Sequence, residues 1–215
     1  MGKPRYRHII WDWNGTLLND VSLSIEVMNG LLREHGHPPI DRHCYQEIFD
    51  FPVRTYYERA GFDFSRHSFE ELGSRWIAAY EARRQECRLQ PGARSILQRI
   101  QTVGLTQSIL SAYPQNTLHE IVRHFGLETY FVRILGLDNI YAHSKVELGQ
   151  KWIAELGVPG KEILLVGDTL HDLDVAQAIG VDCVLVACGH HPEARLRSRT
   201  DHVVADLSGL SSFVP

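Results

Sequence analysis

The chain has 215 residues, of which 44% are hydrophobic and 22% are charged, a composition typical of a globular protein with a full core. Its formal net charge of −4 offers no positive field for nucleic acid, and no run of about 18 apolar residues predicts a membrane span. Neither nucleic acid nor a membrane is therefore an expected partner, and the oligomeric state is not readable from the sequence.

Two further features bear on location. Residues 1–6 contain no apolar signal region, and the four cysteines show no Cys-x-x-Cys spacing, so reduced thiols and a cytoplasmic location are expected. The basic tract formed by Arg195, Arg197 and Arg199 is short and interrupted, and it predicts a solvated helix face.

The first predicted strand is a short apolar run, residues 8–11, that ends abruptly at Asp12. Residues 17–89 then contain no convincing strand pattern. Asp20 is predicted to cap the first of four helices, and the four helices are expected at about 20–36, 41–49, 52–60 and 68–87. This pattern predicts an all-helical unit inserted directly after the first strand.

From Pro91-Gly92 onward, predicted helices and strands alternate. Strands are expected at 106–111, 131–135, 163–166, 183–186 and near 202–204, and helices at 93–102, 114–125, 144–156 and 172–179. Such alternation is typical of an α/β fold with a doubly wound parallel sheet. In open sheets of this kind, ligands bind outside the carboxyl ends of the strands.

The strongest functional signal lies at two strand ends. One reads Asp12-Trp13-Asn14-Gly15-Thr16, and the other, Gly167-Asp168-Thr169-Leu170-His171-Asp172, follows a distant apolar run. The two stretches resemble the first and last motifs of the haloacid dehalogenase superfamily, most of whose members are phosphatases. With intermediate motifs, the resemblance spans about His8 to Leu185. It implies a Rossmann-like core of residues 1–17 and 90–215, with residues 18–89 as a helical cap, as in the phosphoglycolate phosphatase branch.

The resemblance implies a Mg²⁺-dependent phosphatase that hydrolyses a small phosphorylated metabolite through an aspartyl phosphate on Asp12. A metal lets a carboxylate approach the phosphoryl dianion, and the covalent intermediate divides one difficult step into two easier ones. Asp168 and Asp172 are four residues apart, so both can face one point, and hard carboxylate oxygens suit Mg²⁺. Capping of the following helix explains one of these acids but not both. The expected metal ligands are Asp12, Asn14 through its backbone carbonyl, Asp168, and Asp172 directly or through water.

Ser111 and Lys145 match the second and third motifs of the superfamily. The Ser111 hydroxyl is expected to donate to a phosphoryl oxygen, although a serine after an apolar run is more commonly a helix cap. The Lys145 ammonium is expected to offset phosphate charge, with Lys151 as an alternative because the usual Lys-Pro pair is absent. The residues expected to contact substrate are Gly15, Thr16, Ser111, Ala112 and Lys145.

Asn14 departs from the motif, which has an acid here that protonates the leaving oxygen and then activates water. An amide can do neither, and such help is worth about 10²- to 10⁴-fold in rate. The enzyme is then slow and favours good leaving groups, or another acid substitutes, or Asn14 deamidates to Asp. His190-His191 follows a predicted strand end and is the first place to look for a substitute acid.

Rival functions follow from the same departure. A catalytically impaired phosphate-ligand binding protein would also lack the second acid, although retention of the other motif residues argues against it. A metal-independent haloacid dehalogenase typically loses the acid that corresponds to Asp168. A phosphonatase needs a lysine in the cap, and residues 17–89 contain none. A structural or surface role is favoured for His35 and His37, and a surface position for Asp174.

Overall fold

The computed structural model describes residues 5–137 and 145–214, in which eight strands are arranged as one large sheet and one small ribbon. The strands are β1 (His8–Trp11), β2 (Leu18–Asn19), β3 (Arg88–Leu89), β4 (Thr106–Pro114), β5 (Arg133–Leu137), β6 (Ile163–Gly167), β7 (Asp182–Val186) and β8 (Val203–Val204). The sheet has the order β5-β4-β1-β6-β7-β8, and all its pairings are parallel. The predicted α/β fold class is confirmed.

Nine α-helices occur in the described residues. They are α1 (Val21–Glu34), α2 (Arg42–Ile48), α3 (Val53–Ala60), α4 (Phe69–Glu81), α5 (Ala93–Thr102), α6 (Gln115–His124), α7 (Lys145–Leu156), α8 (Leu170–Ile179) and α9 (Glu193–Arg197). Short 3₁₀ helices occupy Arg84–Glu86, Glu128–Tyr130, Gly160–Glu162 and Leu207–Ser212.

β1 lies in the middle of the sheet and is buried on both faces. Ile9 and Trp11 pack into a core shared with α5 and α6, whereas Ile10 packs into a second core shared with α7 and α8. Because neither face meets solvent, the strand reads as a continuous apolar run instead of an alternating one. The central position brings the residues after β1 to the middle of the carboxyl edge.

Helices α1 to α4 form the helical insert (residues 21–81), which has a hydrophobic core of its own. That core joins Met28 and Leu32 of α1 to aromatic residues of the next helices, such as Tyr45 and Tyr57. Asp41 caps α2 through the backbone N–H of Cys44, as expected of an acid at a helix start. The division into domains at residues 17, 18, 89 and 90 stays a prediction.

The structure corrects four expectations about local structure. Residues 17–89 do contain strands, since β2 and β3 form an antiparallel ribbon at the base of the helical insert. Two-residue strands carry no periodicity, so the sequence could not reveal them. The predicted helix 68–87 ends at Glu81, and the strand predicted at 131–135 is observed at Arg133–Leu137. Asp20 occupies the N-cap position of α1, as predicted, but its side chain makes no capping hydrogen bond there.

The prediction that the basic tract forms a solvated helix face is only partly correct. Arg197 pairs with Glu193 on its own helix and is exposed, but Arg195 is largely buried and reaches the helical insert. All four cysteines are free. His35 and His37 pack against Phe62, in keeping with a structural role, and Asp174 is exposed. No helix in the described ranges has the length and apolar character needed to cross a membrane.

Candidate active site

Three aspartates meet at the carboxyl edge of the sheet. Trp11 of β1 lies opposite Val166 of β6, so Asp12 and Asp168 emerge from neighbouring strands. One oxygen from each of Asp12, Asp168 and Asp172 lies within 4.8 Å of the others, and all three residues are buried. This spacing is short enough for a single divalent cation to contact the group.

Asp168 is fixed by donors on both of its oxygens. Thr16 Oγ1 donates to Oδ1 at 2.8 Å, and the backbone N–H of His190 donates to Oδ2 at 2.6 Å. Gly15 has a φ of 74°, and a Cβ there would lie 2.2 Å from Asp168 Oδ2. Only glycine fits this position. Gly15 and Thr16 are not among the residues that line the adjacent cavity, and their predicted contact with substrate stays a prediction.

Asp172 has two contacts of different kinds. Its Oδ2 accepts from the backbone N–H of Thr169 at 3.1 Å and from Thr169 Oγ1 at 2.8 Å, which caps the first turn of α8. Its Oδ1 accepts from Lys145 Nζ at 2.6 Å. Helix capping therefore does apply to Asp172, but it occupies only one of the two oxygens.

Lys145 begins α7 and points into the aspartate cluster. Its Nζ donates to Asp12 Oδ1 at 2.5 Å and to Asp172 Oδ1 at 2.6 Å, with 3% of the side chain exposed. Burial lowers the pKa of Lys145, but the carboxylates of Asp12 and Asp172 raise it further, so the amine is charged. Lys151 is exposed and does not reach this site.

The buried charges around the cluster are out of balance. Four buried carboxyl groups, those of Asp12, Asp20, Asp168 and Asp172, face two cationic side chains, Lys145 and His190. Burial raises the pKa of Asp12 to about 7 and the pKa of Asp168 to about 6, despite the neighbouring cations. The excess of negative charge and the hard oxygen donors fit a divalent cation such as Mg²⁺.

Asn14 is held by a carboxylate that the sequence did not reveal as part of the site. Its Nδ2 donates to Asp20 Oδ2 and to Tyr80 Oη, each at 2.8 Å, and Tyr80 donates in turn to Asp20 at 2.7 Å. The backbone N–H of Gly15 donates to Asp20 Oδ1 at 2.8 Å. Burial raises the pKa of Asp20, but His190 and these donors lower it below its usual value. An ionised Asp20 fixes the amide of Asn14 with its nitrogen toward Asp20.

His190 and His191 have different positions. His190 lines the cavity, its Nε2 lies 3.5 Å from Asp20 Oδ1, and its Nδ1 is 2.8 Å from Tyr45 Oη. Burial lowers the pKa of His190, but Asp20, Asp168 and Asp12 raise it to about 9. His191 turns away and accepts from the backbone N–H of Leu170, and burial lowers its pKa to about 4. Of the pair, only His190 faces the site.

Ser111 and Ala112 line the same cavity from β4. Ser111 Oγ accepts from the backbone N–H of Tyr113 at 3.1 Å, which leaves its hydroxyl hydrogen available for donation. Pro114, not Ser111, occupies the N-cap position of α6. The structure therefore brings Asp12, Asn14, Ser111, Ala112, Lys145, Asp168 and Asp172 together around one cavity.

Sequence reasoning missed the contribution of the helical insert. Asp20 was predicted to cap a helix, and no residue of the four predicted helices was assigned to the site. Aromatic residues of α3, of α4 and of the segment between α2 and α3 line the cavity. The short spacing of six residues between Asn14 and Asp20 could have indicated that Asp20 reaches the site. That conclusion would have required the conformation of the turn between the two residues.

Residues 9–186 match the profile of a family described as haloacid dehalogenase-like hydrolase. The chain belongs to that family. Its strand order and the aspartates at the carboxyl edge are thus those of a haloacid dehalogenase-like hydrolase, and the resemblance stated from the motifs is confirmed.

Curated proteins with similar sequences are named for different activities. The tyrosine-protein kinase PtkA of Mycobacterium tuberculosis is 28% identical over 184 residues, which are 85% of this chain and 62% of that protein. The chain thus spans less than two thirds of that relative's length. A 5'-nucleotidase of Pseudomonas aeruginosa is 28% identical over 96% of this chain and 94% of its own. A phosphoglycolate phosphatase of Synechococcus elongatus is 23% identical over 87% of each chain.

Solved structures of the family share the fold over nearly the whole chain. The Mycobacterium tuberculosis PtkA structure has a TM-score of 0.81 at 26% identity and covers 98% of both chains. A haloacid dehalogenase-like family protein from Streptococcus pneumoniae has a TM-score of 0.82 at 19% identity and covers 97% of this chain and 99% of its own. The second likeness, at this low identity, concerns the fold alone.

Proposed function

We propose that this haloacid dehalogenase-like hydrolase is a Mg²⁺-dependent phosphatase of small phosphorylated metabolites, with Asp12 as its nucleophile. The observation that carries the proposal is the buried group of Asp12, Asp168 and Asp172, with Lys145 bonded to two of them at the floor of a cavity. Relatives named as 5'-nucleotidase and phosphoglycolate phosphatase support a phosphate monoester as substrate. The four free cysteines support a cytoplasmic location.

The side chains have separate parts in the proposed reaction. A carboxylate oxygen of Asp12 forms a bond to phosphorus as the bond from phosphorus to the leaving oxygen breaks, and the leaving oxygen takes up a proton. Water then attacks phosphorus in the aspartyl phosphate, which releases inorganic phosphate and restores Asp12. Lys145 and the Ser111 hydroxyl hold the phosphoryl oxygens through both steps. Thr16 holds Asp168 through its hydroxyl, and Gly15 leaves the space that this carboxylate occupies.

Mg²⁺ would be held by Asp12, Asp168, Asp172 and the backbone carbonyl of Asn14. When bound, it supplies positive charge that lets an anionic nucleophile approach an anionic phosphoryl group. The deficit of cationic side chains around these carboxylates supports this assignment. Asp172 shares its carboxylate with α8 and Lys145, so its contact to the metal is the one we assign directly or through water.

A second candidate function, binding of a phosphorylated ligand without turnover, is favoured by one observation. The Asn14 amide donates to Asp20 and Tyr80, so residue 14 supplies no proton to a leaving group. The phosphatase assignment is preferred because Lys145 and the aspartates retain a complete charged site at the cavity floor.

The test is hydrolysis of acetyl phosphate and p-nitrophenyl phosphate by the purified protein with Mg²⁺ and with a chelator. We expect Mg²⁺-dependent release of phosphate and a loss of about 10⁴-fold or more in Asp12→Asn, because a neutral amide is no nucleophile. The matched control is Asp174→Asn, which changes an exposed acid on α8 and leaves the rate unchanged. Phosphate release that persists in Asp12→Asn identifies a contaminant, and phosphate binding without turnover supports the second candidate.

A further inference from the structure

The cavity beside Asp12 has a wall of aromatic side chains. Its floor carries the charged groups of the core, but the side facing them is built from ring systems of the helical insert. The wall residues from the insert are Phe49, Phe51, Tyr56, Tyr57, Trp76 and Tyr80. Trp76 and Tyr80 are stacked with ring centroids 5.0 Å apart and planes at 13°, so they present a flat surface. A wall of this kind favours a flat, apolar ligand group.

Cationic groups are scarce in the same cavity. Lys145 is the sole lysine, and arginine is absent, among the described residues that line it. The Lys145 ammonium already bonds to Asp12 and Asp172, and His190 lies against Asp20. The other histidine of the lining, His171, stacks on Phe51 with ring centroids 4.6 Å apart. A second anionic group on the substrate would therefore lose its hydration without meeting a free lysine or arginine, which is unfavourable. The part of the substrate beyond the phosphate is expected to be uncharged.

Size limits the same group. The cavity has a volume of about 210 Å³, below the roughly 300 to 1,000 Å³ common for drug-sized ligand sites, and it is open to solvent. With a phosphoryl group at the floor, the space against the wall suits a single ring, and any larger group would extend toward solvent.

The leaving group is limited independently by Asn14. Its amide nitrogen faces Asp20 and Tyr80, and it has no proton of carboxylic acid strength to give. A leaving oxygen that is stable without prompt protonation suits this site best. Phenols ionise near pH 10, whereas the hydroxyl of water ionises near 15.7 and that of simple alcohols is comparably weak as an acid. A phosphate carried directly on an aromatic ring meets this condition.

Tyr56 and Trp76 contribute their rings to the wall, not their polar atoms. Tyr56 Oη and Trp76 Nε1 are buried, and neither has a hydrogen-bond partner among the described residues. Each atom has less than 1 Å² of accessible surface, so neither is open to the cavity that the two residues line. The two side chains therefore offer the substrate an apolar packing surface.

We infer that the substrate class is an aryl monophosphate: a phosphate borne directly on one uncharged aromatic ring. The inference rests on the proposed phosphatase function and specifies its leaving group. The ring packs against the aromatic wall while its phosphate lies against Lys145 and Asp12.

Three phosphate esters distinguish the effect of the aromatic wall on kcat/KM from the effect of the leaving group. The test compares kcat/KM with Mg²⁺ for phenyl, benzyl and ethyl phosphate. Benzyl phosphate should exceed ethyl phosphate about tenfold or more because both leave as alkoxides but only one has a ring to bury. Phenyl phosphate should exceed benzyl phosphate by a further tenfold or more because phenolate needs less proton assistance. Benzyl and ethyl phosphate turned over alike would overturn the inference.

A second series examines charge and polarity on the ring. The neutral 3-carbamoylphenyl phosphate should exceed the nearly isosteric 3-carboxyphenyl phosphate at least about tenfold, since the cavity offers its carboxylate no free cation. Phosphoglycolate or adenosine 5'-monophosphate turned over as efficiently as phenyl phosphate contradicts the assignment, because both are alkyl phosphates that leave as alkoxides and the first also carries a second anionic group.

Variants then locate the preference in the wall. Trp76→Leu removes one ring of the stacked pair and should reduce the ratio of kcat/KM for benzyl phosphate to that for ethyl phosphate. Phe213→Leu, which changes a partly buried ring outside the cavity, should leave this ratio unchanged. An unchanged ratio in Trp76→Leu overturns the inference.

Acetyl phosphate distinguishes failure of this inference from failure of the proposed function. Its small leaving group does not reach the aromatic wall. If Asp12-dependent hydrolysis of acetyl phosphate occurs without preference for aryl esters, the phosphatase assignment stands and the substrate class is wrong. If acetyl phosphate is not hydrolysed at all, the proposed function itself fails.

Discussion

The carboxyl edge of the sheet and the helical insert meet at one cavity but supply it with opposite kinds of surface. The sheet edge contributes charge, with Asp12, Lys145 and Asp168 fixed by hydrogen bonds before any ligand arrives. The helical insert contributes aromatic rings. One of them belongs to Tyr80, which donates a hydrogen bond to Asp20 and accepts one from Asn14. Groups that handle the phosphate and groups that contact the rest of the substrate thus belong to separate parts of the fold.

The contrast extends to how each region is held. Both residues of the Asp12–Lys145 pair are buried within the core, and their positions follow from neighbouring strands and a helix start. The helical insert meets the core through apolar and polar contacts, since Leu23 and Val27 belong to the same hydrophobic cluster as Trp11 and Gln46 donates to the Gly189 carbonyl. Phe49 and Phe51 line the cavity but lie outside that cluster, so substrate choice should be easiest to alter there.

The largest expected effect concerns the charge balance of the core. Lys145→Met leaves Asp12 and Asp172 buried without their cation, which should lower the free energy of unfolding by about 3–5 kcal/mol in the absence of metal. Mg²⁺ should restore part of that loss, by about 2.7 kcal/mol at 100 times its dissociation constant. Denaturant unfolding at pH 8 with and without Mg²⁺ measures both quantities.

The matched control for this change is Lys151→Met, which removes an exposed lysine from the same helix and should leave stability nearly unchanged. A Lys145→Met protein as stable as the wild type without Mg²⁺ would show that the carboxylates are not in excess, and it would remove the main support for a metal at this edge.

Asn14→Asp should have the next largest effect, because residue 14 is where the two regions touch. An acid at this position can protonate a poor leaving group, so kcat/KM for ethyl phosphate should rise about 100-fold, or about 2.7 kcal/mol of barrier. Phenyl phosphate should gain much less. The variant should also lose stability by about 1–3 kcal/mol, since a carboxylate next to Asp20 replaces an amide donor.

Asn19→Asp is the control for the added charge, since Asn19 is exposed in β2. Equal gains on ethyl and phenyl phosphate would contradict a role of residue 14 in leaving-group protonation. Intact mass of the wild-type protein addresses deamidation: an unmodified Asn14 peptide means that wild-type activity belongs to the amide form.

The smallest effect is expected at the contact between the two regions. Arg195→Gln removes bonds of 2.8 Å to the Phe49 carbonyl and 2.7 Å to Asp50. Phe49 belongs to the cavity wall, so KM for an aryl phosphate should rise about threefold with kcat little changed, and stability should fall by at most about 1 kcal/mol. The control is Arg197→Gln, which removes an exposed ion pair with Glu193 on the same helix. A loss confined to kcat would point instead to a disturbed sheet edge.

The sequence predicted the core better than the helical insert for physical reasons. Buried parallel strands are continuous apolar runs, and an acid at the end of such a run marks the carboxyl edge, so Asp12 and Asp168 were identifiable. Asp20 was taken for a helix cap because an acid before an apolar helix has that role most often. Its actual partners, Tyr80 and His190, lie 60 and 170 residues away, beyond the reach of local patterns.

The aromatic wall was hidden for a related reason. Helical periodicity shows which side chains are buried, but not whether they face their own core or a cavity shared with another region. Tyr57 does both, since it belongs to the core of the helical insert and lines the cavity. Only the packing of the insert against the sheet edge distinguishes these cases.

The ribbon of β2 and β3 gives the helical insert a modular attachment. Because Leu18 pairs with Leu89, the chain leaves the core and returns to it at one place. The segment between these two residues can therefore be exchanged as a unit. A longer or shorter segment grafted between Asn19 and Arg88 adds little loop-closure entropy. Evolution of new substrate preferences in such proteins can therefore proceed by transplanting this segment while the phosphate-handling edge is inherited intact.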